Sequence, residues 1–205
     1  HLRAKNWRLN EGYIPHIESP EGSTLSSQKE AVDQVRLEML QLNKHVCDAL
    51  EVFGIQSIVH PPHLWVTNTG IEFPGSLDEF ISLNDKTVHL TFGDVVNVEG
   101  EKQFGILSGD DLVVRLSLEL ENVKRLVFAI GGVDGLLRIP PEHATKEDLI
   151  EVWTPDIRFE GVHQSDIDVT GGIGLKAARG AHVAAHGINV VMVNGGKPER
   201  VLAAM

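Results

Sequence analysis

A glycine-rich run near the C-terminal end has the residue types that hold phosphate groups. It reads Asp168-Val169-Thr170-Gly171-Gly172-Ile173-Gly174-Leu175-Lys176. Glycines let backbone N–H groups approach an anion closely, and Lys176 adds a positive charge. The alanine-rich stretch 175–186 predicts a helix whose N-terminal end would direct its partial positive charge to the same place. The run predicts a phosphate-binding turn. Because it matches neither the Walker nor the dinucleotide pattern, a plain connection between strand and helix stays open as the alternative.

Composition and charge exclude several classes of partner. The chain has 205 residues, of which 42% are hydrophobic, and a formal net charge of −11. This size suits one sizeable domain or two closely packed lobes. A general binder of nucleic acid or of membrane surfaces needs a basic face, so the acidic excess argues against both. With one cysteine and no apolar run near 20 residues, we expect a reduced, soluble, cytoplasmic protein.

The ten histidines give no convincing metal site. Only two pairs are closely spaced, His60 with His63 and His182 with His186. Neither pair has a nearby Cys, Asp or Glu that would complete a zinc site, so we favour polar or packing roles and predict no metal ligand.

The apolar pattern predicts strands that alternate with helices. The predicted elements are an irregular segment 1–27, a helix 28–53, a strand 55–60, a hairpin or lid from 64–67 and 71–73, a short helix 77–83, a strand 87–92, a hairpin from 95–98 and 103–107, a helix 112–120 capped by Ser108 or Asp111, and strands 125–130 and 190–193. Such alternation favours an α/β fold, a three-layer α/β/α sandwich with a mainly parallel sheet.

Four turns of this pattern are candidates for one cleft. They are Gly93-Asp94, Ser108 to Asp111, Gly131 to Gly135 and Asn194 to Gly196. In parallel sheets, ligands bind beyond the carboxyl ends of the strands. We therefore expect these turns to face a shared site.

The same turns, taken in order, carry a resemblance to a known family. The segments are Phe92-Gly93-Asp94, 104–111 (Phe-Gly-Ile-Leu-Ser-Gly-Asp-Asp), Val133-Asp134-Gly135, 168–176 and 194–200 (Asn-Gly-Gly-Lys-Pro-Glu-Arg). Together they resemble isopentenyl phosphate kinase, in the amino acid kinase superfamily. The opening His1-Leu2-Arg3-Ala4-Lys5 is similar to the residues that begin at the closing histidine of the family's glycine-rich element, and the likeness covers essentially the whole chain.

The resemblance implies transfer of the γ-phosphoryl group of ATP to isopentenyl phosphate, with Mg²⁺ present. It implies an acceptor-binding lobe over about 1–120, a nucleotide-binding lobe over about 121–205 and a homodimer. His1 would bind the acceptor phosphate, Lys176 would hold the ATP phosphates, and Asp110 would organise the basic groups around the reacting centre. The further residues implied are Gly93, Asp94, Ser108 and Gly109 on the acceptor side, and Gly131, Gly132, Asp134, Gly171, Gly172, Gly174 and Lys197 on the nucleotide side.

The sequence departs from the family pattern in two ways. The family begins with a Lys-x-Gly-Gly-Ser loop and a second glycine-rich strand end that precede His1, so the resemblance implies an N-terminally truncated chain. The family's Thr-Asp-Val-Asp-Gly stands here as Gly131-Gly132-Val133-Asp134-Gly135. Two alternatives therefore stay open: another small-molecule kinase of the superfamily, which acts on a phosphonate, a carboxylate or a nucleoside monophosphate, and a non-catalytic relative.

Overall fold

The computed structural model of the chain describes residues 1–81, 87–159 and 172–205, which form two compact units, His1–Arg115 and Leu116–Met205. The helices are α1 (Leu2–Asn6), α2 (Gln28–Val52), α3 (Gly109–Glu119), α4 (Gly172–Ala185) and α5 (Pro198–Ala204); the strands are β1 (Gln56–Val59), β2 (Thr87–Leu90), β3 (Asp94–Asn97), β4 (Phe104–Leu107), β5 (Arg125–Ile130) and β6 (Asn189–Asn194). Among the described residues, no helix is both long and apolar enough to cross a membrane.

The long helix α2 confirms the prediction for residues 28–53 to within one residue. Its N-terminal end is capped by Ser27, whose hydroxyl accepts a hydrogen bond from the backbone N–H of Glu30. It ends where Gly54 takes a positive φ of 70° and donates its N–H to the carbonyl of Glu51.

The segment before α2 is more ordered than the sequence predicts. The prolines and glycines that indicated an irregular segment begin only at Gly12, so residues 2–6 are free to form α1. Trp7 and Leu9 are then buried. The amide of buried Gln28 donates to the carbonyls of Trp7 and Gly12, which fastens this segment to the start of α2.

The first unit contains two pairs of strands. β1 and β2 are parallel, from Gln56 beside Thr87 to Val59 beside Leu90. β3 and β4 form the predicted antiparallel hairpin. A core of buried residues lies beneath the hairpin and α3, and its members are Val66, Phe73, Val96, Leu107 and Leu112.

Two predictions for the first unit are wrong. Residues 64–67 and 71–73 do not form a hairpin, since Thr67 instead makes a parallel bridge to Asn97 of β3. The predicted helix 77–83 is only a 3-10 turn over Asp78–Phe80 in its described part, and residues 82 and 83 lie outside the described residues.

The second unit is built on the parallel pair β5 and β6. Arg125 to Ile130 lie beside Asn189 to Asn194 over six residues, as the continuous apolar strands predicted. α4 packs on this pair through Gly180, where a β-carbon would come 3.2 Å from Val190 and 3.4 Å from Phe128. Helices and parallel strands confirm the α/β character of the chain.

Candidate functional site

The candidate acceptor loops of the first unit meet at two glycines. A β-carbon built on Gly93 would lie 3.2 Å from the backbone nitrogen of Gly109 and 3.3 Å from the carbonyl oxygen of Leu107. A β-carbon at position 93 would crowd both backbone atoms, so glycine suits this close approach. The turn that follows β2 and the turn that follows β4 are therefore in contact, as their predicted common site requires.

The second of these turns starts α3. This helix begins at Gly109, three residues earlier than predicted, because the hydroxyl of Ser108 accepts the backbone N–H of Asp110 and its carbonyl accepts those of Asp111 and Leu112. Asp111, the other predicted cap, lies inside the first turn. Ser108, Asp110 and Asp111 are all buried.

Asp94, which the resemblance places on the acceptor side, is fully engaged by its own neighbours. Its Oδ2 atom accepts hydrogen bonds from Nδ1 of His63 at 2.6 Å and from the backbone N–H of His63 at 3.1 Å. Its Oδ1 atom accepts the N–H of Val95 at 2.8 Å. The carboxylate is 0% exposed and the His63 side chain is 14% exposed. The group that this pair presents to solvent is the imidazole of His63.

Two histidines, His60 and His89, contact each other at β1 and β2. Nε2 of His60 is 2.8 Å from Nδ1 of His89, the two rings are stacked, and Nδ1 of His60 is 3.4 Å from the Glu79 carboxylate. Nε2 of His89 is buried, and it has no hydrogen-bond partner among the residues that the structure describes. Burial of the ring, together with the neighbouring His60, lowers the pKa of His89.

His1 stands at the exposed N-terminal end of α1 and its side chain makes no capping hydrogen bond. It borders a cavity of about 360 Å³ that also involves Arg3, Gly22 and Glu38. Arg3 and Glu38 form an ion pair of 2.7 Å, and this hydrogen bond lowers the pKa of the Glu38 carboxyl. His1 is accessible to a ligand on the surface of the first unit.

The first unit also has a larger cavity, of about 630 Å³, between the segment 13–17 and the start of α2. Apolar side chains of Ile14, Ile17 and Val32 line it together with Arg36. The Arg36 guanidinium donates to the carbonyl of Val95 and to the side chain of Asn97, so it is held at the wall by β3.

In the second unit, the turns after β5 and β6 also meet. The N–H of Gly195 donates to the carbonyl of Ile130 at 2.8 Å, and a β-carbon on Gly195 would lie 3.2 Å from that of Ala129. A β-carbon built on Gly131 or on Gly132 would meet no atom of the described residues within 4 Å. A backbone with no side chains to obstruct it is suited to close approach by a ligand.

Two residues that the sequence predicts for nucleotide binding contact each other here. Nζ of Lys197 lies 2.9 Å and 3.1 Å from the two carboxylate oxygens of Asp134, and Arg200 lies 3.8 Å away. The hydrogen bond from Lys197 is the main cause of a lowered pKa for Asp134. The pair is partly exposed, with 46% of the Lys197 side chain open to solvent.

The glycine-rich run is described only from Gly172 onward, so Asp168 to Gly171 lie outside the described residues. Gly172 and Gly174 are in the first turn of α4, which starts three residues earlier than predicted. Lys176 follows half-buried on this helix, and the next residue, Ala177, packs in the core of the second unit. In residues 1–81, 87–159 and 172–205 we find no group of three His, Cys, Asp or Glu side chains arranged to hold a metal ion.

His63 is the accessible polar side chain that sequence reasoning missed. Its partner Asp94 is 31 residues away, so no local spacing connects them. Both residues stand four positions beyond the end of a strand, His63 after β1 and Asp94 after β2. The rule that ligands bind at the carboxyl ends of parallel strands led to Asp94 but not to His63, because their contact depends on the pairing of β1 with β2.

Comparisons with known proteins bear on this geometry. No family model matches the chain. Over 169 residues, it is 27% identical to the isopentenyl phosphate kinase of Methanothermobacter thermautotrophicus, an alignment that covers 80% of this chain and 63% of that protein. A solved structure of isopentenyl phosphate kinase matches with a TM-score of 0.71 at 23% identity, over 98% of this chain and 74% of the other.

This chain has the isopentenyl phosphate kinase fold. A product complex of isopentenyl phosphate kinase from T. acidophilum matches similarly, with a TM-score of 0.68 at 24% identity, over 98% of this chain and 73% of the other. The resemblance to isopentenyl phosphate kinase inferred from the ordered turns is confirmed. The chain spans less than two thirds of the length of the Methanothermobacter isopentenyl phosphate kinase.

Proposed function

We propose that the protein transfers the γ-phosphoryl group of ATP to isopentenyl phosphate and so forms isopentenyl diphosphate. The observation that carries this proposal is the match of 98% of the chain to the isopentenyl phosphate kinase fold. The Methanothermobacter relative, which is 27% identical, is also an isopentenyl phosphate kinase. The contact between the turns that follow the parallel strands β5 and β6 supports it further, because α/β proteins bind ligands at the carboxyl ends of parallel strands.

Two phosphate-bearing substrates repel each other, so the chemistry needs positioning and charge neutralisation more than a strong base. In the proposal, the lobe over about 1–120 binds the acceptor and His1 donates to its phosphate. The lobe over about 121–205 binds ATP, with Lys176 at the phosphates. Asp110 organises the basic groups around the reacting centre.

The remaining residues would shape the two binding loops. On the acceptor side, Gly93, Ser108 and Gly109 bring the two turns together, while Asp94 acts through His63. On the nucleotide side, the backbone of the glycine turns would approach ATP closely. Lys197 would exchange its contact with Asp134 for one with phosphate. The proposed residues of this side are Gly131, Gly132, Asp134, Gly171, Gly172, Gly174, Lys176 and Lys197.

Mg²⁺ would enter with the nucleotide. The acidic side chain at the nucleotide turn, Asp134, is engaged by Lys197 and Arg200, and within the described ranges no ligand cluster stands ready for a metal. Mg²⁺ that is held mainly by ATP phosphates fits this donor set. When bound, it neutralises charge on the transferred group.

Two structural features belong to the proposal. One is the three-layer α/β/α arrangement with a mainly parallel sheet, which the shared fold supports. The other is a homodimer. It is supported by apolar side chains that α2 exposes, among them Leu37, Leu42 and Val46. Light scattering after size exclusion would measure the mass of the particle directly.

The decisive experiment measures turnover of the full-length protein with ATP, Mg²⁺ and isopentenyl phosphate, with products assigned by ³¹P NMR. We expect isopentenyl diphosphate as the preferred product. A phosphonate, a carboxylate and a nucleoside monophosphate serve as competing acceptors. Equal or better turnover of one of these would assign the chain to another activity of the superfamily, and no turnover of any acceptor would favour a non-catalytic relative.

Variants then separate the two sides of the proposed site. His1→Ala removes one preorganised donor, so we expect kcat to fall by about 100-fold or more while the affinity for ATP stays unchanged. Lys176→Met should weaken ATP binding as well as turnover because its charge acts on bound and reacting phosphate alike. Unchanged kcat and acceptor KM in His1→Ala would remove His1 from the site.

A further inference from the structure

We propose that His63, held by Asp94, binds the phosphate group of the acceptor through its Nε2 atom. This inference deepens the proposed kinase function and rests on it. It adds a residue that the motif resemblance does not include.

The Asp94 carboxylate fixes the position of His63 at two points. One oxygen receives both the ring Nδ1 and the backbone N–H of His63, at 2.6 Å and 3.1 Å, and the other receives the N–H of Val95. A histidine whose ring and backbone N–H both bond to one buried carboxylate loses little further rotational freedom when a ligand binds. The ring is therefore preorganised.

The arrangement also decides which ring atom is available. The Nδ1 proton is directed at the carboxylate, so Nε2 is the ring nitrogen left to bond an incoming group. Among the described residues, the structure records no partner for Nε2 of His63, and the side chain is partly exposed. In the neutral ring Nε2 accepts a hydrogen bond, and in the protonated ring it donates one.

A phosphate monoester suits such an atom in both states. Its second pKa is about 6, so near neutral pH it exists both with and without a proton on the terminal oxygens. A neutral imidazole can accept from a P–OH group, and a protonated one can donate to a P–O⁻ group. In both cases a single proton lies between Nε2 and a phosphate oxygen and makes the hydrogen bond.

The location of the pair favours the acceptor side. His63 follows the carboxyl end of β1 and Asp94 follows that of β2, its parallel neighbour. Gly93, next to Asp94, is in contact with Gly109. The His63 ring thus belongs to the same cluster of loops that the resemblance assigns to the acceptor.

Two substitutions separate a ligand contact from a purely structural role. In His63→Asn, the side-chain amide can take the place of Nδ1 and keep the bond to Asp94, but it has no atom at the position of Nε2. In His63→Gln, the amide reaches toward the position of Nε2 and loses the bond to Asp94. His45→Asn, at an exposed position of α2, is the matched control.

Steady-state kinetics of the full-length protein with each substrate varied give the test. For His63→Asn we expect the acceptor KM to rise about 10- to 100-fold, the range for a hydrogen bond to a charged group, with the ATP KM unchanged. His63→Gln should recover part of that loss, and His45→Asn should match the wild type. Titration of the wild type with isopentenyl phosphate should shift the Nε2 NMR signal of His63.

The outcomes distinguish this inference from the proposed function. Wild-type turnover of isopentenyl phosphate with an unchanged acceptor KM in His63→Asn overturns the role of His63 alone. Equal losses for both substrates, together with lower stability, show a structural role and overturn it too. If the wild type instead prefers another phosphate-bearing acceptor and His63→Asn raises the KM for that one, the assigned substrate fails while the role of His63 holds.

Discussion

The two units each hold an aspartate paired with a basic side chain, but the two pairs differ in their contact with water. In the first unit, the Asp94 carboxylate is fully buried and receives three hydrogen bonds, two of them from His63. In the second, Asp134 and Lys197 are both partly exposed. A buried carboxylate depends on its donors, whereas an exposed ion pair contributes little and exchanges partners readily. The first pair fixes geometry, and the second leaves a cation available to an anionic ligand.

The largest effect should come from removing the buried carboxylate. Asp94→Ala leaves the ring and backbone N–H of His63 and the N–H of Val95 without their acceptor, so we expect the free energy of unfolding to fall by about 3 kcal/mol. Asp134→Ala is the matched change at the exposed pair and should leave stability unchanged within error. Urea denaturation of both variants makes the comparison. Equal losses would show that burial does not separate the two pairs.

Glycine substitutions test the same contrast at the backbone. Gly93→Ala would place a methyl group against the backbone atoms of Gly109 and Leu107, which cannot swing away, so we expect a loss of about 1–3 kcal/mol and a higher acceptor KM. In Gly131→Ala, the new methyl group meets no described atom within 4 Å and should leave the fold intact. A higher ATP KM in Gly131→Ala at unchanged stability would show that the nucleotide approaches this backbone. An unchanged acceptor KM and kcat in Gly93→Ala would show that acceptor binding does not depend on the contact between the two turns.

The sequence was most informative where apolar periodicity was long or continuous. β5 was predicted to the residue and α2 to within one, because neither depends on distant partners for its pattern. The hairpin at 64–67 and 71–73 failed because Thr67 bridges Asn97, a pairing that lies thirty positions along the chain. Short apolar runs do not specify their partner.

In the candidate site, too, features that depend on distant partners could not be predicted. Contact between the turns at Gly93 and Gly109 could be predicted, since the carboxyl ends of strands gather ligand-binding loops. The His63 and Asp94 pair could not, because its chemistry arises only when β1 and β2 lie side by side. The contact between Asp134 and Lys197 was equally invisible, as the two residues were predicted to bind the nucleotide and not each other.

A smaller effect is expected from the exposed pair during catalysis. Lys197→Met removes a positive charge beside the nucleotide turn, so the ATP KM should rise several-fold, and more at low salt because exposed charges are screened. Asp134→Asn frees Lys197 from its carboxylate and should change the ATP KM in the opposite direction. Initial rates at two ionic strengths give both values. Changes of the same sign would indicate that Asp134 holds Lys197 in a productive position.

The smallest effect is a difference in how the two units respond to acid. The pKa of His89 is lowered by burial and by His60, so the folded first unit favours the neutral ring. That contribution is fully present above the ordinary histidine pKa of about 6.5 and is lost as the pH falls through that value toward the lowered one. The pKa of Asp134 is also lowered, but its contribution is lost only below the ordinary aspartate value of about 3.9.

Between about pH 7 and pH 5, hydrogen exchange should therefore accelerate in β1 and β2 more than in β5 and β6. His89→Asn should reduce this difference, and His45→Asn, at an exposed position, should not. Equal acceleration in both strand pairs of the wild type would show that His89 and its neighbours His60 and Glu79 do not make the first unit more sensitive to acid.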